Sequence, residues 1–205
     1  MEAFQNNIIF LELASLLLAL MFVKTFKSKY YYFFIAYLIF AITADFIGGL
    51  ITKVSNAWVF NIYTFFEYSA VAGIYYFLNE NPFSKKVIVS MSTIFYCIYI
   101  ISFIYIPLQR YTVIILHFFV VPFLFLFLQE LLNSNKITNY KKQLFFWITV
   151  GLLIYYLGTL PFITLSFIEQ LQTKVLYTIP GIILVIMHLI FIMSLIWLRK
   201  VRKLS

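Results

Sequence analysis

Charge is what this sequence has least of. Of its 205 residues 11% are charged, against about a quarter in a soluble domain, while 64% are hydrophobic. Mean hydropathy is +0.99. A chain with so little charge cannot cover a water-facing globule, and no stretch is polar enough to form a separate soluble domain. Glycine is scarce too, at six residues, and none forms a phosphate-cradling loop. The single cysteine, Cys97, excludes an intrachain disulfide; lying within an apolar run, it reads as a small buried hydrophobe. No Gly-x-Ser-x-Gly elbow, no His-Glu-x-x-His and no histidine pair at helical spacing occur, and no serine adjoins a histidine. Linear signatures of acyl transfer and of zinc chemistry are therefore missing. The start, Met1-Glu2-Ala3-Phe4, has no basic segment, so no cleavable signal peptide is expected. The end, Lys203-Leu204-Ser205, carries no lipidation motif.

What the chain has is apolar length. Seven runs approach the roughly 20 residues that a hydrocarbon core requires: Ile8–Val23, Tyr30–Ile51, Trp58–Leu78, Val87–Ile106, Tyr111–Leu132, Leu144–Leu165 and Val175–Leu198. Each must satisfy its own backbone hydrogen bonds in lipid, and the alternation of barrel strands is absent, so all seven are expected to be helices. The expected fold is all-α: one polytopic domain over residues 1–205, a bundle of seven transmembrane helices.

Fifteen Lys and Arg against seven Asp and Glu give a net charge of +8. Their placement sets topology. Twelve of the fifteen fall in alternate flanks: Lys24, Lys27 and Lys29; Lys85 and Lys86; Lys136, Lys141 and Lys142; Arg199, Lys200, Arg202 and Lys203. The other flanks hold Lys53, Arg110 and Lys174 alone. The rich side belongs to the cytoplasm, which puts the N-terminus outside and the C-terminus inside. Interfacial aromatics agree, with Tyr30, Tyr31, Tyr32, Tyr75, Tyr76, Trp147 and Trp197 at inner ends and Trp58, Tyr105, Tyr111 and Tyr177 at outer ends. This distribution reads as topology setting, not as a nucleic-acid footprint. Small residues at helical spacing, Ala44 with Gly48, Ser69 with Gly73, and Gly151 with Gly158, predict close helix contacts.

Polar residues inside the runs are few and are the candidates for function. Glu67 stands near the middle of the third run, Asp45 in the second, His117 in the fifth and Glu12 in the first, with Asn61 and Tyr63 also in the third. An intramembrane carboxylate costs about 2.5 kcal/mol or more, so it should face the protein interior and have a partner. Counting about 1.5 Å per residue from the run ends places Glu12, Asp45, Asn61, Glu67 and His117 in the outer half of the membrane, with Tyr63 on the same face as Glu67, and His188 apart, toward the inner half. They are expected to converge on one outward-facing, water-accessible cavity that binds a ligand. Pro122, Pro161 and Pro180 each free a carbonyl one turn back that would add to it. The bland alternative is that these groups only bridge helices. His117, Asp45 and Glu67 are chemically a fit for a cation, but no spacing supports a metal, and none is assigned. No cofactor and no catalytic residue is expected. Retinal is excluded, since Val175–Leu198 has no lysine.

Two stretches, Asn61-Ile62-Tyr63-Thr64-Phe65-Phe66-Glu67-Tyr68 and Phe146-Trp147-Ile148-Thr149-Val150-Gly151 continuing to Tyr155-Tyr156-Leu157-Gly158-Thr159-Leu160-Pro161, resemble segments of small bacterial seven-span proteins. Those proteins are similar in layout to the membrane sensor regions of some histidine kinases. The resemblance implies sensing or signal relay in a bacterial inner membrane and supplies no catalytic residue. Only a basic tail follows Leu198, so output would pass to a separate cytoplasmic partner, docked by Lys136, Lys141, Lys142, Arg199, Lys200, Arg202 and Lys203, or those charges would contact anionic lipid. A non-enzymatic sensor or relay is the preferred reading. A small-solute or proton-coupled transporter, an accessory protein of another system such as defence, and an intramembrane lipid hydrolase remain open.

Overall fold

The computed structural model describes residues 2–51, 56–105, 111–166 and 174–204. They are helical almost throughout, with no strand among them. The order is α1 (Glu2–Met21), α2 (Lys29–Leu50), α3 (Ala57–Leu78), α4 (Pro82–Tyr105), α5 (Tyr111–Leu132), a short 3-10 helix (Asn135–Lys142), α6 (Leu144–Ser166) and α7 (Lys174–Leu204). Lys53, Ile106 and Arg110, used above to mark flanks and run ends, lie outside the described residues.

Five helical stretches are long and apolar enough to cross a membrane: Lys29–Leu50, Pro82–Tyr105, Tyr111–Leu132, Leu144–Leu165 and Thr178–Lys200. These helices are compatible with an integral membrane protein. Ile8–Met21 within α1 is apolar but shorter. Helix α3 matches α2 in length, yet Asn61, Glu67 and four tyrosines lower its hydropathy. Pro122, Pro161 and Pro180 lie inside α5, α6 and α7.

The chain forms two compact units: Lys27–Glu130, holding α2 to α5, and Met1–Phe26 with Leu131–Ser205, holding α1, the 3-10 helix, α6 and α7. In the α2–α5 unit, α2 packs along α3, and α3 on α4. Phe33 stacks on Phe77 and Phe40 on Phe66, while Gly48 lies under Phe60, so α2 and α3 run antiparallel. Helices α3 and α4 are likewise antiparallel, by Phe65 with Tyr99 and Tyr68 with Phe95. Helix α5 runs parallel to α3, with Thr112 against Asn61, Phe123 against Tyr68 and Phe127 against Tyr75. Helix α4 buries little of itself; its Ile94, Ile98, Ile101 and Ile104 are exposed, as suits lipid contact. Cys97 is also exposed there, which corrects the expectation of a buried cysteine. Tyr31 and Tyr75, expected at the interface, are wholly buried core residues.

In the other unit, α7 packs between α6 and α1. Glycines set the α6–α7 approach. A Cβ at Gly151 would come within 2.8 Å of Phe191, and one at Gly158 within 3.1 Å of Ile183. Trp147 meets Trp197 edge-on at the other end of the pair, so α6 and α7 are antiparallel. Helices α1 and α7 run parallel: Glu12 meets His188, and one further step along both chains Phe22 lies under Arg199.

Candidate functional site

The sequence-predicted polar residues divide between the two units. Asp45, Asn61, Tyr63, Glu67 and His117 belong to the α2–α5 unit, and Glu12 to the other.

In the α2–α5 unit, Asn61, Thr64, Glu67, Thr112 and His117 are all buried, while Asp45 and Tyr63 are half-buried. Spacing explains this. Residues 61, 64, 67, 68, 71 and 75 of α3 recur at three and four, forming the buried stripe that carries Asn61 and Glu67 inward. The Asn61 carbonyl accepts a hydrogen bond from the Tyr99 hydroxyl at 2.7 Å, and its side-chain oxygen lies 3.5 Å from the Thr112 hydroxyl. His117 Nδ1 is 2.7 Å from the Val113 carbonyl. A carbonyl only accepts, so Nδ1 carries the hydrogen and Nε2 is the nitrogen presented to other groups. Thr64 returns its hydroxyl to the Phe60 carbonyl.

Helix register places these groups at similar depth. Asn61 is level with Thr112, and Tyr68 with Phe123, so His117 falls near the level of Thr64, and Glu67 about one turn further. The antiparallel pairs Phe40–Phe66 and Gly48–Phe60 put Asp45 across from the stretch around Asn61 to Tyr63. The result is a polar layer about 9 Å deep, residues 61 to 67 of α3, bounded further along by the aromatic stack of Tyr68, Phe95 and Phe123. His117, Asp45 and Glu67 do not assemble as metal ligands: among the described residues no group of three or more His, Cys, Asp or Glu side chains does.

Glu12 is the eleventh of the twenty residues of α1 and lies one turn into its apolar stretch, which begins at Ile8. There it faces His188, the fifteenth of thirty-one in α7, with Oε1 3.9 Å from Nε2. His188 Nδ1 is 2.9 Å from the Ser15 hydroxyl, one turn after Glu12. All three side chains are buried. So His188 does not stand apart, and a serine does adjoin a histidine, in space. Sequence reasoning passed over Ser15 because nothing near it in the chain is a histidine; its spacing of three from Glu12, on one face of α1, was the available signal.

Of the basic residues expected to dock a partner, Arg199 is engaged within its own unit, its guanidinium 4.6 Å from the Phe22 ring centroid. Lys141, Lys142 and Lys200 are exposed, and Lys141 lies 5.8 Å from the Tyr140 ring. The side chains of Lys136, Arg202 and Lys203 lie outside the described residues. Comparison with known proteins finds no matching family model, curated protein or solved structure.

Proposed function

We propose that this chain is a seven-span protein of a bacterial inner membrane, with the N-terminus outside and the C-terminus in the cytoplasm, that senses or relays a signal. The seven-span count draws support from helix direction. Parallel α1 and α7 require an odd number of crossings between them. Five helices intervene only if α3 crosses as well, and α3 runs antiparallel to both α2 and α4. Orientation rests on the lysine and arginine distribution.

The observation that carries the functional reading is the buried carboxylate Glu67 in a layer with Asn61, Thr64, Thr112 and His117. A carboxylate is costly to bury in lipid, and its burial at the level of other polar side chains supports a functional reading. In this proposal the layer opens outward and binds a small polar or cationic ligand. Glu67 and Asp45 supply charge, His117 a neutral acceptor at Nε2, and Asn61 and Tyr63 orient the ligand. Ligand occupancy then shifts helix packing, which the exposed lysines pass to a cytoplasmic partner. Small organic cations such as choline, titrated against purified protein in lipid nanodiscs, should raise its thermal stability. The gain should vanish in Glu67→Gln. No gain with any cation, or the same gain in Glu67→Gln, refutes the reading. Uptake of the cation into proteoliposomes, lost in Glu67→Gln, would replace it with a transporter.

A further inference from the structure

A groove between α3 and α4 is the feature that this function does not use. It lies further along α3 than the polar layer, between residues 72–76 of α3 and 88–96 of α4, and encloses about 330 Å³. We propose that it holds one anionic phospholipid, with an acyl chain along the groove and the phosphate at Lys85 and Lys29.

The walls suit an acyl chain. Ala72 and Gly73 keep the α3 side low, and Val89, on the α4 side, is exposed. The hydroxyls that line the groove on α4 are turned to protein partners. Tyr96 bonds to Ser69 at 2.7 Å, Ser92 accepts from the Tyr68 hydroxyl at 3.3 Å, and Thr93 donates to the Val89 carbonyl at 3.0 Å. What remains for an occupant is almost all carbon. A polar ligand would leave its own hydrogen-bonding groups unmet there, whereas a hydrocarbon chain has none to satisfy.

One end of the groove is basic. Tyr76 lines it, and Lys85 Nζ lies 5.7 Å from the centre of that ring. The next ring, Phe77, packs edge-on against Tyr76 at 5.2 Å, and Lys29 Nζ lies 5.2 Å from its centre. Neither lysine is ion-paired with a carboxylate among the described residues. The Glu130 carboxylate, at the same end of the unit, is taken up by the backbone of Glu80 and Asn81. A ring face holds an ammonium group only weakly and leaves its charge for a phosphate.

Length selects a lipid. From Lys85 to Tyr96 α4 advances about 16 Å. That is close to half of a hydrocarbon core about 30 Å thick, the depth of one leaflet. A chain in the groove with its phosphate at the lysines therefore runs from headgroup level to the midplane. Free phosphate would use the lysines and leave the groove empty. A second copy on this face, related by an axis normal to the membrane, would bring its own Lys29 and Lys85 level with these, and like charges repel.

The test counts lipids on the intact chain. Full-length protein is equilibrated in detergent with equal amounts of phosphatidylglycerol and phosphatidylcholine, and native mass spectrometry reads what is retained. Wild type should keep one phosphatidylglycerol per chain in preference to phosphatidylcholine. A lysine near a lipid phosphate is worth about fivefold in binding, so Lys29→Ala with Lys85→Ala should lower the preference by roughly 25-fold. Lys141→Ala with Lys142→Ala, in the other unit, should leave it unchanged. Val89→Trp fills the groove, spares both lysines and should cut retention at least tenfold. Excess inorganic phosphate should not displace the lipid. Equal retention of the two lipids overturns the proposal, as does a preference that survives loss of Lys29 and Lys85 or falls equally without Lys141 and Lys142. Unaltered retention in Val89→Trp, or displacement by phosphate, overturns it too. So does a dimer in the same spectra that Val89→Trp breaks, which would make the groove a contact between copies. Should Val89→Trp fail to fold, Thr93→Trp, on the same wall, decides by the same criterion.

Discussion

The ring of Tyr68 lies flat on that of Phe95, with centroids 3.7 Å apart and planes inclined by 12°. This contact joins α3 to α4 directly below the polar layer, and Phe123 of α5 closes on the same tyrosine. The hydroxyl of Tyr68 also reaches Ser92 at 3.3 Å. Stacking and hydrogen bonding can be separated by mutation. Tyr68→Phe keeps the stack and should cost about 0.6 kcal/mol, the average for such bonds in membranes. Tyr68→Ala opens a cavity among three helices and should cost about 3–5 kcal/mol. Reversible unfolding in mixed micelles measures both. Equal losses would show that the hydrogen bond, not the stack, holds the contact.

Glycine substitutions should sort by what a Cβ would meet. Gly151→Ala drives a methyl into Phe191, and should cost about 1–3 kcal/mol of overpacking against a propensity gain of about 1. Gly49 has nothing within 4 Å, so Gly49→Ala should leave stability unchanged or raise it by up to about 1 kcal/mol. Gly73→Ala meets the Phe33 ring and should resemble Gly151→Ala, unless that ring swings aside. Melting temperatures of the three variants in one detergent check the order.

Glu130, at the end of α5, accepts hydrogen bonds from the backbone of Glu80 and Asn81 at 2.6 and 3.1 Å. It caps the turn that leads into α4. Glu130→Ala should cost about 0.5–2 kcal/mol, the range for a lost cap, and expose the 79–82 turn to protease. Limited proteolysis with mass mapping reads it; an unchanged digestion pattern would show the cap is dispensable.

Much of this was legible in the chain. The helices fall near the apolar runs, and the small-residue pairs do mark close approaches at Gly48, Gly73, Gly151 and Gly158. Register across helices was not legible, because hydropathy gives each helix a length but no neighbour. That is why the pairing of Glu12 with His188 could not be read from the chain. Hydropathy also underrates α3, whose tyrosines, Asn61 and Glu67 turn inward to partners instead of toward lipid.

The seven-span arrangement predicts a strict alternation of loop location. Reporter fusions after Ser28, Asn81 and Asn133 should report cytoplasm, and fusions after Asn56 should report the outside. A cytoplasmic report after Asn56 would remove α2 or α3 from the set of crossing helices.

The polar layer's access from outside is the claim on which the functional account turns, and thiol labelling tests it most directly. In a Cys97→Ala background, Tyr63→Cys lies in the layer, while Phe46→Cys sits at similar depth on the exposed face of α2. A membrane-impermeant maleimide applied to intact cells should modify Tyr63→Cys and spare Phe46→Cys, and choline should slow the reaction. A Tyr63→Cys thiol that stays unmodified from outside, or reacts only in inverted vesicles, would contradict the account.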